Sequence, residues 1–145
     1  MPEVTRDEWD RFTARHPECH LMQTSAWGDL KSVFGWRVAR VVAGDCGAQI
    51  LLRKLPLGLS MAYVPKGPVG EYSQWENLWP EVDSICRKNK AVLMIVEPDL
   101  WTTQDQSGEQ GIPAGFETGL QSIQPPRTIV VALDGDEADL LARMK

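Results

Sequence analysis

The sequence lacks any long apolar run and any recognisable export signal. No stretch of its 145 residues approaches the roughly 20 consecutive apolar residues that a membrane-spanning helix needs. Residues 1–20 also lack the charged segment followed by an apolar one that marks a signal peptide. Both observations predict a protein that acts in the cytoplasm.

Cysteine and histidine are scarce. The three cysteines (Cys19, Cys46 and Cys86) are far apart and show no Cys-x-x-Cys spacing, and the two histidines, His16 and His20, flank Pro17. An odd, scattered set of cysteines favours neither disulfides nor a zinc site. We therefore expect reduced structural thiols, no metal and no cofactor, with both histidines exposed at the end of a helix.

Positive charge is also in short supply. The chain has 15 Lys and Arg against 20 Asp and Glu, a net charge of −5. A domain that wraps duplex DNA needs a basic surface, so duplex DNA is excluded as a partner, although a few lysines can still form a local anion site. The motifs GxSxG, HExxH, GxGxxG and the Walker loop are absent as well, which leaves the catalytic residues unknown.

What is present predicts an α+β fold. Thr5 and Thr24 are capping signals for two helices, and Gly35 closes the second. A capping box at 73–76 predicts a third helix that runs to about Asn89, with either a kink or a restart at Pro80. The apolar runs at 91–96 and 128–133 predict strands buried on both faces. Strands are expected at 36–43, 48–55, 60–64, 91–96 and 128–133.

Three places could carry chemistry. Trp27 and Lys31 are four residues apart, so the indole could anchor the second helix while the ammonium projects from its edge. Lys66 lies in a rigid turn after the third strand and could meet a phosphate. The segment 97–99, Glu-Pro-Asp, follows an apolar strand at an edge where open sheets bind ligands. A solvated surface lysine and an ordinary turn are the alternative interpretations.

Five segments, taken in order, resemble the Fem-type peptidyltransferases. The matching motifs are Q-S-x-W-x-x-x-K…G-W at 23–36, Y-x-P-x-G-P at 63–68, R-I-E-P at 95–98, Q-P-x-x-T at 124–128, and D-L…E-E-L-L-x-x-M-K at 133–145. Each piece is common alone, but five in this order and spacing are specific. The arginine that usually precedes I-E-P is missing here, where Met94 and Ile95 stand instead.

The resemblance implies a GNAT-like domain, with a mixed, mostly antiparallel sheet flanked by helices. Residues 1–145 would be the N-terminal one of two such domains, cut within its last helix, with the second domain absent. Members of the family move amino acids from aminoacyl-tRNA to the stem peptide of a UDP- or lipid-linked muropeptide, without a metal or a covalent protein nucleophile. Their first domain brings a lysine, here Lys31, to the diphosphate of the precursor.

Trp27 and Lys66, by the placement described above, complete the expected substrate-binding set. By the resemblance, aminoacyl-tRNA binds the missing half. A peripheral membrane contact is left open as a further partner. Two other classes of function also remain. An acyl-CoA-dependent N-acetyltransferase needs a glycine-rich pyrophosphate loop, for which 67–70 is the only candidate, and Pro68 removes a donor from it. A non-catalytic GNAT-like binding domain is the second alternative.

Overall fold

The computed structural model describes residues 3–101, 112–125 and 127–144. Within these ranges the fold is α+β, as predicted. The helices are α1 (Arg6–Thr13), α2 (Ser25–Val33), α3 (Trp79–Lys88) and α4 (Glu137–Arg143). The strands are β1 (Arg37–Ala43), β2 (Cys46–Lys54), β3 (Ser60–Pro65) and β4 (Ala91–Glu97). Short 3-10 helices lie at Leu21–Gln23, Pro56–Gly58 and Tyr72–Asn77.

The four strands form one mixed sheet in the order β1-β2-β3-β4. β1 pairs with β2 and β2 with β3 in antiparallel fashion, while β4 runs parallel to β3 with Pro65 opposite Glu97. The short loops between the first three strands suit a meander, and α3 supplies the longer crossover that parallel pairing requires. The carboxyl ends of β3 and β4 therefore meet at the same edge of the sheet.

The helix ends follow their local signals with one exception. The Thr5 hydroxyl accepts from the Glu8 N–H and the Glu8 carboxylate accepts from the Thr5 N–H, which is the predicted capping box. The capping box predicted at 73–76 is wrong, because residues 72–77 form a 3-10 helix without a side-chain cap. The α-helix restarts at Trp79 with Pro80 in its first turn, where a missing N–H costs no intrahelical bond.

Helices cover both faces of the sheet. α1 packs on one face through a small cluster of Trp9, Phe12 and Val69. α3 packs on the other face over the main core, and burying each Val, Ile or Leu side chain there contributes about 1.5–3 kcal/mol. The buried apolar members of the main core are Ala39, Val41, Cys46, Ala48, Ile50, Leu52, Ala62, Val64, Trp75, Leu78, Val82, Ile85 and Cys86.

Two predictions about apolar strands are wrong. β4 is a strand, but it lies at the edge of the sheet, with Val92 61% and Leu93 54% exposed. Residues 128–133 form no strand, and Ile129, Val130, Val131 and Leu133 are 66–88% exposed. The physical reason is that apolar side chains become buried only where a neighbouring element covers them. An apolar run in the sequence does not show whether such an element is present.

The prediction that His16 is exposed is also wrong. Its side chain is buried, 4.7 Å from the Phe12 ring between centroids. Nδ1 lies 3.0 Å from a Glu18 carboxylate oxygen, and Nε2 lies 3.4 Å from one of Asp45. His20 is half-buried, and its Nδ1 accepts the N–H of Met22. The turn after α1 folds against the β1–β2 hairpin, where His16 contacts Asp45. These residues are 29 positions apart, so the spacing of residues around His16 could not predict the contact.

The three cysteines are free thiols. Burial raises the pKa of Cys19 and of Cys86 to about 11, with smaller contributions from Glu18 and Asp83 respectively. Burial also raises the pKa of Cys46. A thiol with a raised pKa is a poor nucleophile at neutral pH, so these side chains serve packing.

Candidate functional site

Lys31 is presented by α2, directly above the ring of Trp27. The Thr24 hydroxyl accepts from the Trp27 N–H and so begins the helix one turn before the lysine. The Lys31 ammonium lies 4.9 Å from the centroid of the Trp27 ring, and both side chains are half-buried. A cation over an indole face is stabilised by about 0.5–1 kcal/mol when it stays accessible. The structure therefore brings together the two predicted residues of α2, with the ammonium at the surface of the helix.

The indole of Trp27 serves as a platform for the lysine. Its N–H is buried and has no hydrogen-bond acceptor among the residues that the structure describes. A buried unpaired donor costs about 1–3 kcal/mol. Trp27 therefore contacts Lys31 through its ring face, and its N–H contributes no hydrogen bond to the described residues.

Two buried glutamines, neither of which was predicted from the sequence to have a role, fix α2 to the sheet. Gln23 and Gln49 are both 0% exposed. The Gln23 amide donates to the Pro65 carbonyl at 2.7 Å and accepts from the Gln49 N–H at 2.8 Å. The Gln49 amide in turn donates to the Thr24 carbonyl at 2.9 Å, and the Trp9 indole donates to the Gln23 carbonyl. We call Gln23 and Gln49 the amide seam.

Glycines allow the close approach at the amide seam. A Cβ at Gly28 of α2 would lie 2.6 Å from the Gln49 side-chain oxygen, and a Cβ at Gly67 would lie 2.6 Å from the Gln23 amide carbon. Real Cβ atoms do not come so close, so both positions need glycine. The helix that carries Lys31 is thus held at a fixed distance from the sheet.

Glu97 joins three of the five resembling segments at the carboxyl end of β4. Its carboxylate accepts from the Tyr63 hydroxyl at 2.5 Å and from the Ser122 hydroxyl at 3.0 Å. It also accepts from the backbone N–H groups of Ile123 and Gln124. The Gln124 amide donates to the Tyr63 oxygen at 3.1 Å. These contacts tie the segment after residue 121 to the sheet.

The contacts shift the ionisation of both acidic groups. Burial alone would raise the pKa of Glu97, but the hydrogen bonds from Tyr63, Gln124, Ile123 and Ser122 outweigh it and hold that pKa below its ordinary value. Burial, and next the hydrogen bond to Glu97, raises the pKa of Tyr63. Glu97 is therefore a carboxylate and Tyr63 a neutral donor at neutral pH.

Lys66 lies elsewhere. Its Nζ is 3.6 Å from a carboxylate oxygen of Asp99, and both residues line a cavity of about 230 Å³. Neither Trp27 nor Lys31 lines that cavity. The three predicted site residues therefore form a pair on α2 and a separate lysine at the carboxyl ends of β3 and β4.

Known proteins were compared with the whole chain. The model of the FemAB family matches residues 4–144. A Staphylococcus aureus protein named lipid II:glycine glycyltransferase is 31% identical over 155 aligned residues, which cover 95% of this chain and 37% of the relative. The enzyme of strain USA300 matches equally. The crystal structure of FemX matches with a TM-score of 0.58 and 32% identity, covering 69% of this chain and 28% of that one.

The likeness to FemX confirms the expected GNAT-like fold. The chain spans 37% of the length of the curated relatives it matches. No helix in residues 3–101, 112–125 and 127–144 is long and apolar enough to cross a membrane. In the same ranges no group of three or more His, Cys, Asp or Glu side chains could hold a metal ion.

Proposed function

Because the chain belongs to the FemAB family, we propose that it is the part of an aminoacyltransferase that binds a peptidoglycan precursor. The support is the family match over residues 4–144 and the 31% identity to lipid II:glycine glycyltransferase. The precursor is a muropeptide linked to a nucleotide or a lipid through a diphosphate. Aminoacyl-tRNA is the donor, and it binds the part of the full-length protein that lies outside these residues.

The observation that carries the proposal is the position of the Lys31 ammonium. It projects from the edge of α2 over Trp27, and the amide seam holds the helix in place. An ammonium on a flexible stem is a suitable point charge for a diphosphate oxygen. Its hydrogen bonds to charged oxygens are about twice as strong as neutral ones.

The reaction needs little covalent chemistry from this chain. The amino group of the stem peptide attacks the ester carbonyl of aminoacyl-tRNA, an amide bond forms and the ester bond breaks. The attacking amine loses a proton, and the released tRNA hydroxyl gains one. Holding the precursor in place contributes by converting an encounter between two large substrates into a step within one complex.

The acetyltransferase alternative lacks support from the loop that it requires. Pro68 has no N–H, and the Val69 N–H donates to the Gly47 carbonyl at 2.8 Å. Neither group can therefore cradle a pyrophosphate. The segment that follows, Tyr72–Asn77, is a 3-10 helix and not the start of an α-helix. The proposal of a precursor-binding domain is preferred for this reason.

Replacing Lys31 tests the proposal. Lys31→Ala in the full-length protein removes one charge-assisted contact, worth about 1.5–3 kcal/mol. Binding of a nucleotide-linked muropeptide, measured by titration calorimetry, should weaken roughly ten- to a hundredfold. Lys31→Arg should restore part of the loss, because it keeps the charge in a wider, planar group.

Lys88→Ala is the matched control, because Lys88 is also a lysine in the last turn of a helix and is exposed. It should leave the precursor affinity unchanged. Affinity for aminoacyl-tRNA should not change in either variant. If Lys31→Ala binds the precursor as tightly as the parent protein, or mainly lowers the unfolding free energy, then Lys31 is an ordinary surface lysine and the assignment is withdrawn.

A further inference from the structure

The ion pair between Lys66 and Asp99 is half-buried and incompletely hydrogen-bonded. Each side chain is only 22% exposed, and the 3.6 Å between Nζ and Oδ1 exceeds hydrogen-bonding distance. Within the described residues neither charged group makes a hydrogen bond to the protein. A pair that is partly withdrawn from water gains from further hydrogen bonds, because they offset the lost solvation. Donors of the ammonium and lone pairs of the carboxylate are therefore available to a ligand in the 230 Å³ cavity that both residues line.

The backbone aims Lys66 at this cavity through a rare conformation. Its φ is +50°, in the left-handed region that residues with a side chain seldom adopt. The neighbours on both sides are held by Gln23, which donates to the Pro65 carbonyl and packs against Gly67. Buried contacts thus maintain a lysine conformation that is unfavourable by itself, a situation common at ligand sites.

A second cavity adjoins the first. It has a volume of about 270 Å³ and shares the walls Tyr72, Trp75 and Leu100 with the charged cavity. Its further walls include the rings of Trp79 and Phe116, whose centroids are 4.7 Å apart. The two cavities together offer a charged end and an apolar, aromatic end, at the carboxyl ends of β3 and β4, where open sheets bind ligands.

We propose that these two cavities bind an α-amino-acid group, with its carboxylate on Lys66, its ammonium on Asp99 and its apolar side chain against the aromatic walls. A ligand with only a carboxylate would place a second negative charge beside Asp99. A ligand with only an ammonium would place a second positive charge beside Lys66. A zwitterion satisfies both groups of the ion pair and adds no net charge to a site whose walls also include Glu18 and Glu117. Lys31 lines neither cavity, so this site is independent of the diphosphate contact.

A matched ligand series tests the inference on the full-length protein. The probes are L-phenylalanine, 3-phenylpropanoate, which lacks the ammonium, and L-phenylalaninamide, which lacks the carboxylate. In NMR titrations L-phenylalanine should bind at least about tenfold more tightly than either analogue, since each analogue loses one charge-assisted contact. Lys66→Met and Asp99→Asn should each reduce that preference to less than about threefold. Lys31→Ala should leave it unchanged.

The unfolding midpoint of each variant separates binding from folding. If Lys66→Met does not fold, Asp99→Asn carries the test, because it changes one oxygen to a nitrogen and keeps the volume. Equal affinities for the three probes, or an unchanged preference in Asp99→Asn, would overturn the inference. A synthetic stem peptide with a side chain that ends in the same ammonium–carboxylate group identifies the source of the ligand. Tighter binding of this peptide than of L-phenylalanine assigns the site to the acceptor substrate. Weaker binding assigns the site to a free amino acid.

Discussion

Gln23 connects the helical segments of the chain to the sheet through one buried amide. Gln23→Ala would leave the Gln49 N–H and the Pro65 carbonyl without their partner and would open a small cavity. Each unsatisfied buried group costs about 1–3 kcal/mol. We expect the free energy of unfolding, measured by urea denaturation, to fall by about 2–4 kcal/mol.

Gln74→Ala is the matched control for this prediction, because Gln74 is a glutamine in a 3-10 helix with an exposed side chain. It should change the free energy of unfolding by less than about 0.5 kcal/mol. Equal effects of the two substitutions would show that the amide seam does not stabilise the fold.

Glu97 makes stability depend on pH. Its pKa in the folded protein is lowered by hydrogen bonds that outweigh the effect of burial. The unfolded chain therefore binds this proton at higher pH, and the contribution of Glu97 is present above the ordinary glutamate pKa of about 4.3 and lost as pH falls through the lower folded value. We expect Glu97→Gln to reduce the difference in unfolding free energy between pH 7 and pH 3.

Glu76→Gln serves as its comparison, since Glu76 is an exposed glutamate in the 3-10 helix before α3. It should leave the pH dependence close to that of the parent protein. A Glu97→Gln variant with the parental pH profile would contradict the role given to these hydrogen bonds.

Residue-scale prediction from sequence succeeded where the signal is local. Thr5 and Thr24 cap their helices and Gly35 adopts a positive φ, because these roles depend on neighbours within four residues. The burial of Gln23 and the partners of Glu97 depend on residues 25 or more positions away. His16 has local contacts with Phe12 and Glu18, but it also contacts Asp45, 29 positions away. A single sequence contains no local mark of such contacts.

At the scale of elements, an apolar composition does not by itself show that a segment is buried in this molecule. Val64 of β3 is buried in the main core, whereas Val131 lies in the exposed segment 128–133. Val64→Ala removes buried methyl groups and should lower the unfolding free energy by about 1–3 kcal/mol, while Val131→Ala should change it by less than about 0.5 kcal/mol. Thermal and urea unfolding of both variants measure this difference. A loss of stability in Val131→Ala equal to that in Val64→Ala would show that segment 128–133 is packed in solution.

Periodicity predicted the existence of β1 to β4 and both N-terminal helices to within two residues at most boundaries. It did not predict that β4 is at an edge, because a continuous apolar run is compatible with a central strand and with an edge strand that has one covered face. The location of Glu97 and Asp99 at the carboxyl end of β4 could be predicted from the sequence. Their different partners could not: Glu97 accepts a cluster of hydrogen bonds, whereas Asp99 forms an ion pair with Lys66.

For the whole molecule, the proposed division of labour predicts folding without transfer. The 145-residue chain spans 37% of its curated relatives, and the proposal places aminoacyl-tRNA on the remainder. We expect these residues alone to unfold cooperatively but to transfer no amino acid from charged tRNA to a muropeptide. An assay with labelled aminoacyl-tRNA, with the full-length protein as the positive control, measures this. Transfer by the 145 residues alone would refute the division.

The sequence separations within the amide seam also lead us to expect an order of events during folding. The Gln23 side chain bonds to partners 26 and 42 positions further along the chain, and one of those partners is the last residue of β3. The strands β1 to β3 pair through short loops, so their contacts can form early, whereas contacts of long sequence separation form late. We therefore expect α2 to take its final place on the sheet after β2 and β3 have paired. By this expectation, Lys31 is among the last groups to reach its final position during folding.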